Sequence, residues 1–152
     1  MVTISTCPAF LTALRDALSE RAGLRDVAVF TAGLRDENMP PEAIVFAVDA
    51  FSSTYEYPVG TPMTECYEEY LVEGRLQVLR PGSGEDVIAA ARERAFAILN
   101  EVAQELRAND TLDDVVDDVR LIGWKLLQEA ADVGRYASLS FNLRVQAHFT
   151  PA

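Results

Sequence analysis

His148 is the only histidine in the chain, and histidine is the side chain best suited to exchange protons near neutral pH. It occupies a polar position in an alternating segment near the end of the chain. A hydrolytic triad would also need a serine or cysteine and an acid, and the sequence contains no G-x-S-x-G elbow. The pattern therefore favours a satisfied or solvent-facing histidine over a catalytic base.

Two other patterns could bind ions. Pro81-Gly82-Ser83-Gly84 precedes a helical pattern, where backbone N–H groups can bind phosphate. It lacks the lysine and glycine spacing of a P-loop, and Glu85 and Asp86 would repel an anion. Ser83 and Asp86 instead have the spacing of a capping box. Four aspartates lack the spacing and glycine of an EF-hand loop: Asp113, Asp114, Asp117 and Asp118. We therefore expect no catalytic residue, metal site or cofactor.

The elements that hold these residues follow from hydrophobic periodicity. Ala137–Phe149 alternates apolar and polar residues, which predicts a strand with one buried and one wetted face. Glu85–Ala108 carries apolar residues at steps of three and four, which predicts a long helix that covers the sheet. Asn109 is expected to end that helix.

The remaining chain adds one shorter helix and further strands. The predicted segments are a helix over Pro8–Arg21, strands over Val27–Thr31, Ala43–Phe51, Tyr67–Arg80 and Val119–Gln128, a helical turn over Thr111–Val116 and a turn over Glu129–Arg135. Trp124 is expected in the core. This order predicts a single α+β domain over residues 1–152, with a mostly antiparallel sheet and one long and one shorter helix packed on one face.

Ser52–Cys66 is predicted to be a loop, longer than most connections inside compact domains. It holds four large side chains that would be costly to expose without a partner. This loop either folds onto its own domain or forms an arm that contacts a partner. The candidate contact residues are Tyr55, Tyr57, Val59 and Met63.

The charge balance argues against nucleic-acid recognition. The net charge is −11, and residues 36–75 contain nine acids against Arg75 alone. Such a surface repels phosphate backbones and keeps the protein in solution. The sequence shows neither a signal-peptide pattern nor a membrane span, and Cys7 and Cys66 have no metal spacing, so we expect a cytoplasmic protein with reduced thiols.

Three segments together resemble the tail terminator (tail completion) proteins of long-tailed bacteriophages. They are Tyr70–Gly82 leading into the long alanine-rich helix, Val119–Gln128, and Gly134–Ala147. The likeness lies in the layout of most of the chain, with no invariant motif. The resemblance implies a small α/β subunit that forms a hexameric ring on the finished tail tube. It further implies a virion location after assembly in the host cytoplasm.

By this resemblance the ring ends tube growth, joins the tail tube protein to the head–tail connector protein, and lets DNA pass through its lumen without specific binding. The family has no catalytic residues to carry over. An acidic lumen would let DNA slide, because phosphate contacts draw their strength from basic side chains. We expect Glu68, Glu69 and Glu73 to line it.

Two alternatives remain open. The chain could be another ring protein of the neck or tail, such as a head–tail joining protein or a tube subunit. It could also be a small enzyme or ligand-binding α+β domain, with a pocket between the sheet and the helix. The first alternative predicts assemblies of other lengths, whereas the second predicts a monomer or dimer.

Overall fold

The computed structural model describes residues 4–32, 39–56 and 65–150, and for residues 49–56 it describes the backbone alone. Two helices are present in these ranges, α1 over Cys7–Ser19 and α2 over Glu85–Ala108, and a 3₁₀ turn covers Ala22–Leu24. The strands are β1 (Ala28–Phe30), β2 (Glu42–Glu56), β3 (Glu65–Arg80), β4 (Asp118–Ala131) and β5 (Gly134–Phe149). The predicted α+β class is confirmed. The bounds of the long helix agree with its prediction, and Asn109 is its C-cap.

The five strands form one sheet in the order β1-β2-β3-β5-β4. β1 pairs with β2 in parallel, and every other pair is antiparallel, so the sheet is mostly antiparallel as predicted. β3 and β5 lie at its centre and pair along almost their whole length, from Cys66 opposite Phe149 to Arg80 opposite Arg135. β4 and β5 form a hairpin in which Ala131 lies opposite Gly134.

Both helices and the sheet contribute side chains to one core cluster. Alternate residues of β3 and β5 are buried, as a period of two requires, and they join the buried stripes of both helices in one cluster. α1 contributes Phe10, Leu14 and Leu18 to this cluster, and α2 contributes Ala91, Ala95, Ile98, Leu99, Val102 and Leu106. The sheet face opposite this cluster is called the polar face below.

Gly74 allows the central strands to accommodate an aromatic ring. A Cβ at Gly74 would lie only 2.2 Å from Cζ of Phe141, which sits directly opposite on β5. The Phe141 ring in turn meets Phe46 of β2 edge to face, with 5.8 Å between ring centroids. One missing side chain therefore allows three adjacent strands to share an aromatic contact.

Several predicted boundaries are corrected by the structure. Residues 52–56 and 65–66 of the predicted loop belong to β2 and β3, because the pairing continues from Ser52 opposite Glu69 to Glu56 opposite Glu65. The middle of that loop lies outside the described residues. The predicted turn over Glu129–Arg135 shrinks to two residues, since β4 continues to Ala131 and β5 begins at Gly134. Polar residues in these hairpin arms resemble loop sequence, but cross-strand pairing overrides that local preference.

Thr111–Val116 forms an irregular turn, and the predicted turn of α-helix is absent there. Leu112, Asp113 and Asp114 all adopt left-handed backbone, with φ of 45°, 57° and 66°. Aspartate tolerates this conformation, and burial of Leu112 in the core offsets the cost at that position. The predicted capping box is also absent, because Gly84 is the N-cap of α2 and no side chain caps that end.

A charged cluster ties α2 to the sheet and to the 3₁₀ turn. Arg94 of α2 donates to Glu42 of β2 at 3.0 Å and to the carbonyl of Gly23 at 3.2 Å. Arg80 of β3 donates to the same Glu42 carboxylate at 2.6 Å. Burial raises the pKa of Glu42, but the hydrogen bonds from Arg80 and Arg94 outweigh it, so the pKa lies below its ordinary value of 4.5.

Glu42→Gln is expected to lower the free energy of unfolding by about 2 kcal/mol at pH 7, because two half-buried arginines lose their counter-charge. The folded pKa of Glu42 is depressed, so its contribution is complete above the unfolded pKa and disappears as pH falls through the folded value. Urea unfolding at several pH values should therefore show the two proteins converging in acid. Asp16→Asn, which affects only an exposed pair with Arg15, should change stability by less than about 0.5 kcal/mol. A gap for Glu42→Gln that persisted below the folded pKa would contradict this origin.

Candidate assembly surface

The polar face of the sheet is broad and wetted. Its members alternate with the core residues along β3 and β5, and most are partly exposed. They include Glu65, Tyr67, Glu69, Glu73, Arg75 and Gln77 on β3, and Ser138, Ser140, Asn142, Arg144, Gln146 and His148 on β5. A face of this composition can meet water or a charged ligand.

Glu69 and Glu73 lie on the polar face, where a lumen could be lined, but both have basic neighbours. Arg144 donates to Glu69 at 2.7 Å across the β3–β5 pair, and Arg75 lies 3.7 Å from Glu73. The face therefore carries compensated charge, and it is less acidic than the sequence segment suggested. That these two residues line a lumen stays a prediction.

The prediction that Glu68 lines a lumen is wrong. Its side chain points to the core and is 0% exposed, because neighbouring residues of a strand point to opposite faces. One carboxylate oxygen accepts hydrogen bonds from the backbone N–H and the hydroxyl of Thr6, at 2.9 and 2.8 Å. Burial, and then the nearby Glu68 charge, raise the pKa of the Cys7 thiol. Glu68 thus holds the start of α1 against β3.

The candidate contact residues of the predicted arm are only partly located. The backbone of Tyr55 belongs to β2 and lies opposite Cys66, whereas Tyr57, Val59 and Met63 lie outside the described residues. Their role as partner contacts stays a prediction.

His148 and the aspartates occupy ordinary surface positions. Nε2 of His148 lies 3.2 Å from Glu65, and its side chain is 43% exposed, which confirms a solvent-facing histidine. The N–H groups of Asp113 and Asp114 donate to the side chains of Asn109 and Thr111, at 2.9 and 3.2 Å. These contacts build the turn after α2.

The clearest unassigned surface is the edge strand β4. Three large apolar side chains on it are exposed to water, Ile122 by 52%, Trp124 by 61% and Leu127 by 52%. Val133 in the following turn is 63% exposed. Apolar side chains grouped on a sheet edge mark a place where another chain can pair and cover them. We call Ile122, Trp124 and Leu127 the apolar edge.

An open groove of about 470 Å³ runs between β4 and the second half of α2. Ala103, Leu106 and Trp124 provide its apolar lining, and Arg107 and Asp110 provide charge. The groove is continuous with the apolar edge through Trp124. It could accept a side chain or a short segment of another protein.

The prediction that Trp124 lies in the core is wrong. Trp124 shares its sheet face with Phe141, but β4 is the last strand and the helices do not cover it there. A signal for the exposed edge exists in the sequence. Leu121-Ile122 and Leu126-Leu127 place apolar residues on both faces of one strand, which a strand with one wetted face does not need.

No protein-family profile matches the chain, and no curated protein matches it. A chain from the virion of a native gene transfer agent particle is similar at 14% identity and a TM-score of 0.37, over 95% of this chain and 100% of that one. A likeness at this level carries no argument about fold or function. Neither α1 nor α2, the two helices of the described residues, has the length and apolar composition of a membrane span.

Proposed function

We propose that the chain is a structural virion protein, a tail terminator that forms a ring on the head-proximal end of a bacteriophage tail tube. The ring ends tube growth and joins the tail to the head connector. It acts through binding, without catalysis. The apolar edge of β4 is the observation that carries an assembly role, because large apolar side chains grouped on an open edge strand mark a place where a partner binds. The resemblance of the three segments supports the choice of terminator among assembly proteins.

The polar face suits the inner wall of such a ring. A ring of subunits that packs its helices outward turns this face toward the lumen, where DNA passes. The ion pair between Glu69 and Arg144 leaves little free positive charge to hold phosphates. The lumen thus guides DNA without binding it.

The experiment is to mix the purified protein with the tail tube protein of the same virus and to image the product by electron microscopy. We expect one ring at one end of each tube, and tubes that no longer lengthen. Light scattering after size-exclusion chromatography should show a closed oligomer in the presence of tubes. Tubes that keep growing, with no density of this protein at their ends, would contradict the proposal.

The same images distinguish a terminator from a tube subunit and from a head–tail joining protein. A tube subunit would form long cylinders of this chain alone, because each ring would template the next. A head–tail joining protein would bind the connector and leave the tube ends bare.

A ligand-binding domain is the second candidate, and the groove between α2 and β4 favours it, because its volume is in the range of small-molecule sites. That function predicts a monomer or dimer that does not bind tail tubes. A compound from a small-molecule library that raises the melting temperature of the wild-type protein, but not that of Trp124→Ala, would support it. A tube-dependent oligomer with no such ligand would exclude it.

Reversing the charge of the polar face should create DNA binding. In Glu69→Lys/Glu73→Lys the partners Arg144 and Arg75 lose their counter-charges and two lysines join them. Fluorescence anisotropy should then show duplex DNA bound at low salt, with affinity falling steeply as salt rises. Glu85→Lys/Glu93→Lys, which makes the same change of charge on α2, is the control. Equal binding by both variants would show that net charge, and not this face, is responsible.

A further inference from the structure

The outer edge of β4 is open over most of its length. β4 has 14 residues and, within the described ranges, pairs only with β5. At its start, the outward N–H of Val119 donates to the carbonyl of Asp110 at 2.9 Å, so the loop after α2 covers that end. Beyond the bulge at Ile122 the regular strand continues from Gly123 to Ala131. Its outward N–H and C=O groups are therefore available for another strand.

The same sheet has a second open edge. β1 pairs with β2 only at Ala43–Val45, so among the residues that the structure describes Phe46–Glu56 has no neighbour on that side. Val48 lies at the start of this segment and is 40% exposed. We call Phe46–Glu56 the β2 edge.

The directions of the two edges fit each other. β2, β3, β5 and β4 alternate in direction across the sheet, so β2 and β4 run opposite ways. If neighbouring copies are related by rotation about an axis parallel to the strands, each strand keeps its direction from one copy to the next. β4 of one copy would therefore meet the β2 edge of the next copy as an antiparallel pair, which is the more stable arrangement. A contact between two different edges is heterologous, and it closes into a ring when the rotation divides a full turn.

Closure, and not charge, distinguishes this contact from self-pairing of β4. The open part of β4 contains Lys125 and Glu129, and a self-pair about its midpoint, Leu127, would place these opposite charges across from each other. Such a self-pair joins only two copies and leaves both β2 edges open, whereas a contact between unlike edges covers one β4 and one β2 edge at every interface.

We propose that the apolar edge of β4 pairs with the β2 edge of a second copy of this chain, so that the sheet continues from subunit to subunit. This rests on the proposed ring and specifies its subunit interface. The pairing buries Trp124 and Leu127, and closure of the ring leaves neither the β4 edge nor the β2 edge open.

The test uses one variant on each edge, Trp124→Lys and Val48→Lys. Both native side chains are well exposed, so each variant should fold, which circular dichroism and urea unfolding can check. Phe96→Lys is the matched control, because Phe96 is 39% exposed and lies on α2, outside both edge strands. Each edge variant should weaken association roughly 30-fold or more in sedimentation velocity, as expected for loss of a buried anchor, and the control should associate like the wild type.

Mixing the two variants decides the kind of contact. Trp124→Lys retains an intact β2 edge and Val48→Lys retains an intact β4, so the mixture should form one-to-one heterodimers and no rings. If Val48→Lys assembles normally while Trp124→Lys does not, β4 pairs with itself and the proposal is wrong. If both variants assemble normally, neither edge is used and the proposal is also wrong.

The wild-type protein and the two edge variants, each mixed with tail tubes, separate this proposal from the proposed function. Rings on tube ends that survive both edge variants would leave the terminator function standing and remove the interface. Closed oligomers that need both edges but do not bind tubes would support the interface and contradict the terminator function. A wild-type protein that stays monomeric at high concentration and with tubes would overturn both.

Discussion

Phe141→Ala is expected to lower the free energy of unfolding by about 3–5 kcal/mol, the range for a buried phenylalanine. Its ring is 0% exposed at the centre of the sheet, where it covers Gly74 and contacts Phe46 edge to face. Removal of the ring leaves a cavity that three paired strands cannot close. Urea unfolding followed by circular dichroism measures the loss. Phe96→Ala, on a partly exposed ring of α2, is the control and should cost far less.

Gly74→Ala tests whether the ring and the glycine are coupled. The new methyl would overlap the Phe141 ring, so we expect a loss of about 1–3 kcal/mol from overpacking. In the Phe141→Ala background the same methyl occupies the vacated space, so its cost should vanish or change sign. A double-mutant cycle should give a coupling energy of at least about 1 kcal/mol. Additive losses would contradict the contact.

Glu68→Ala is expected to cost about 3 kcal/mol, because it leaves the buried N–H of Thr6 without its acceptor and removes the carboxylate partner of the Thr6 hydroxyl. Glu68→Gln should cost less, since an amide oxygen can still accept both bonds. Within the described part of the chain, Oε1 of Glu68 is buried without a hydrogen-bond partner. The amide nitrogen of glutamine would occupy that position.

Glu69→Ala is the matched control for Glu68→Ala. The residues are adjacent on β3, but Glu69 lies on the polar face in an exposed pair with Arg144, so its loss should cost less than about 1 kcal/mol. Hydrogen exchange of α1 gives a second measurement, because loss of the Thr6 contact should accelerate exchange there first. Equal costs for both alanine variants, with unchanged exchange in α1, would contradict the assigned role of Glu68.

Local patterns determined the elements that pack by simple periodicity. Alternation along β5 specified its buried face, and steps of three and four along α2 specified both its bounds and its buried stripe. These predictions succeeded because the period of side-chain direction is a property of the backbone itself. The helix end at Asn109 followed from a different signal, since the apolar pattern stops at Leu106 and asparagine often follows a helix.

Residues near strand ends were predicted less well. Ser52–Glu56 reads as loop by composition, but it pairs with β3, and hydrogen bonding between strands outweighs residue preference. The left-handed turn at Leu112–Asp114 was also missed, because its cost is balanced by contacts with the distant core.

The sequence alone determined the α+β class, the long helix and the two faces of the central strands, since these depend on the spacing of apolar residues along the chain. Only the tertiary structure decided that the start of α1 covers Glu68 and that Trp124 lies exposed on an open edge. A strand's pattern shows that it has two faces, but it does not show which strands flank it or which helix covers it. Those depend on contacts between residues far apart in the chain, and they placed the candidate assembly surface on β4.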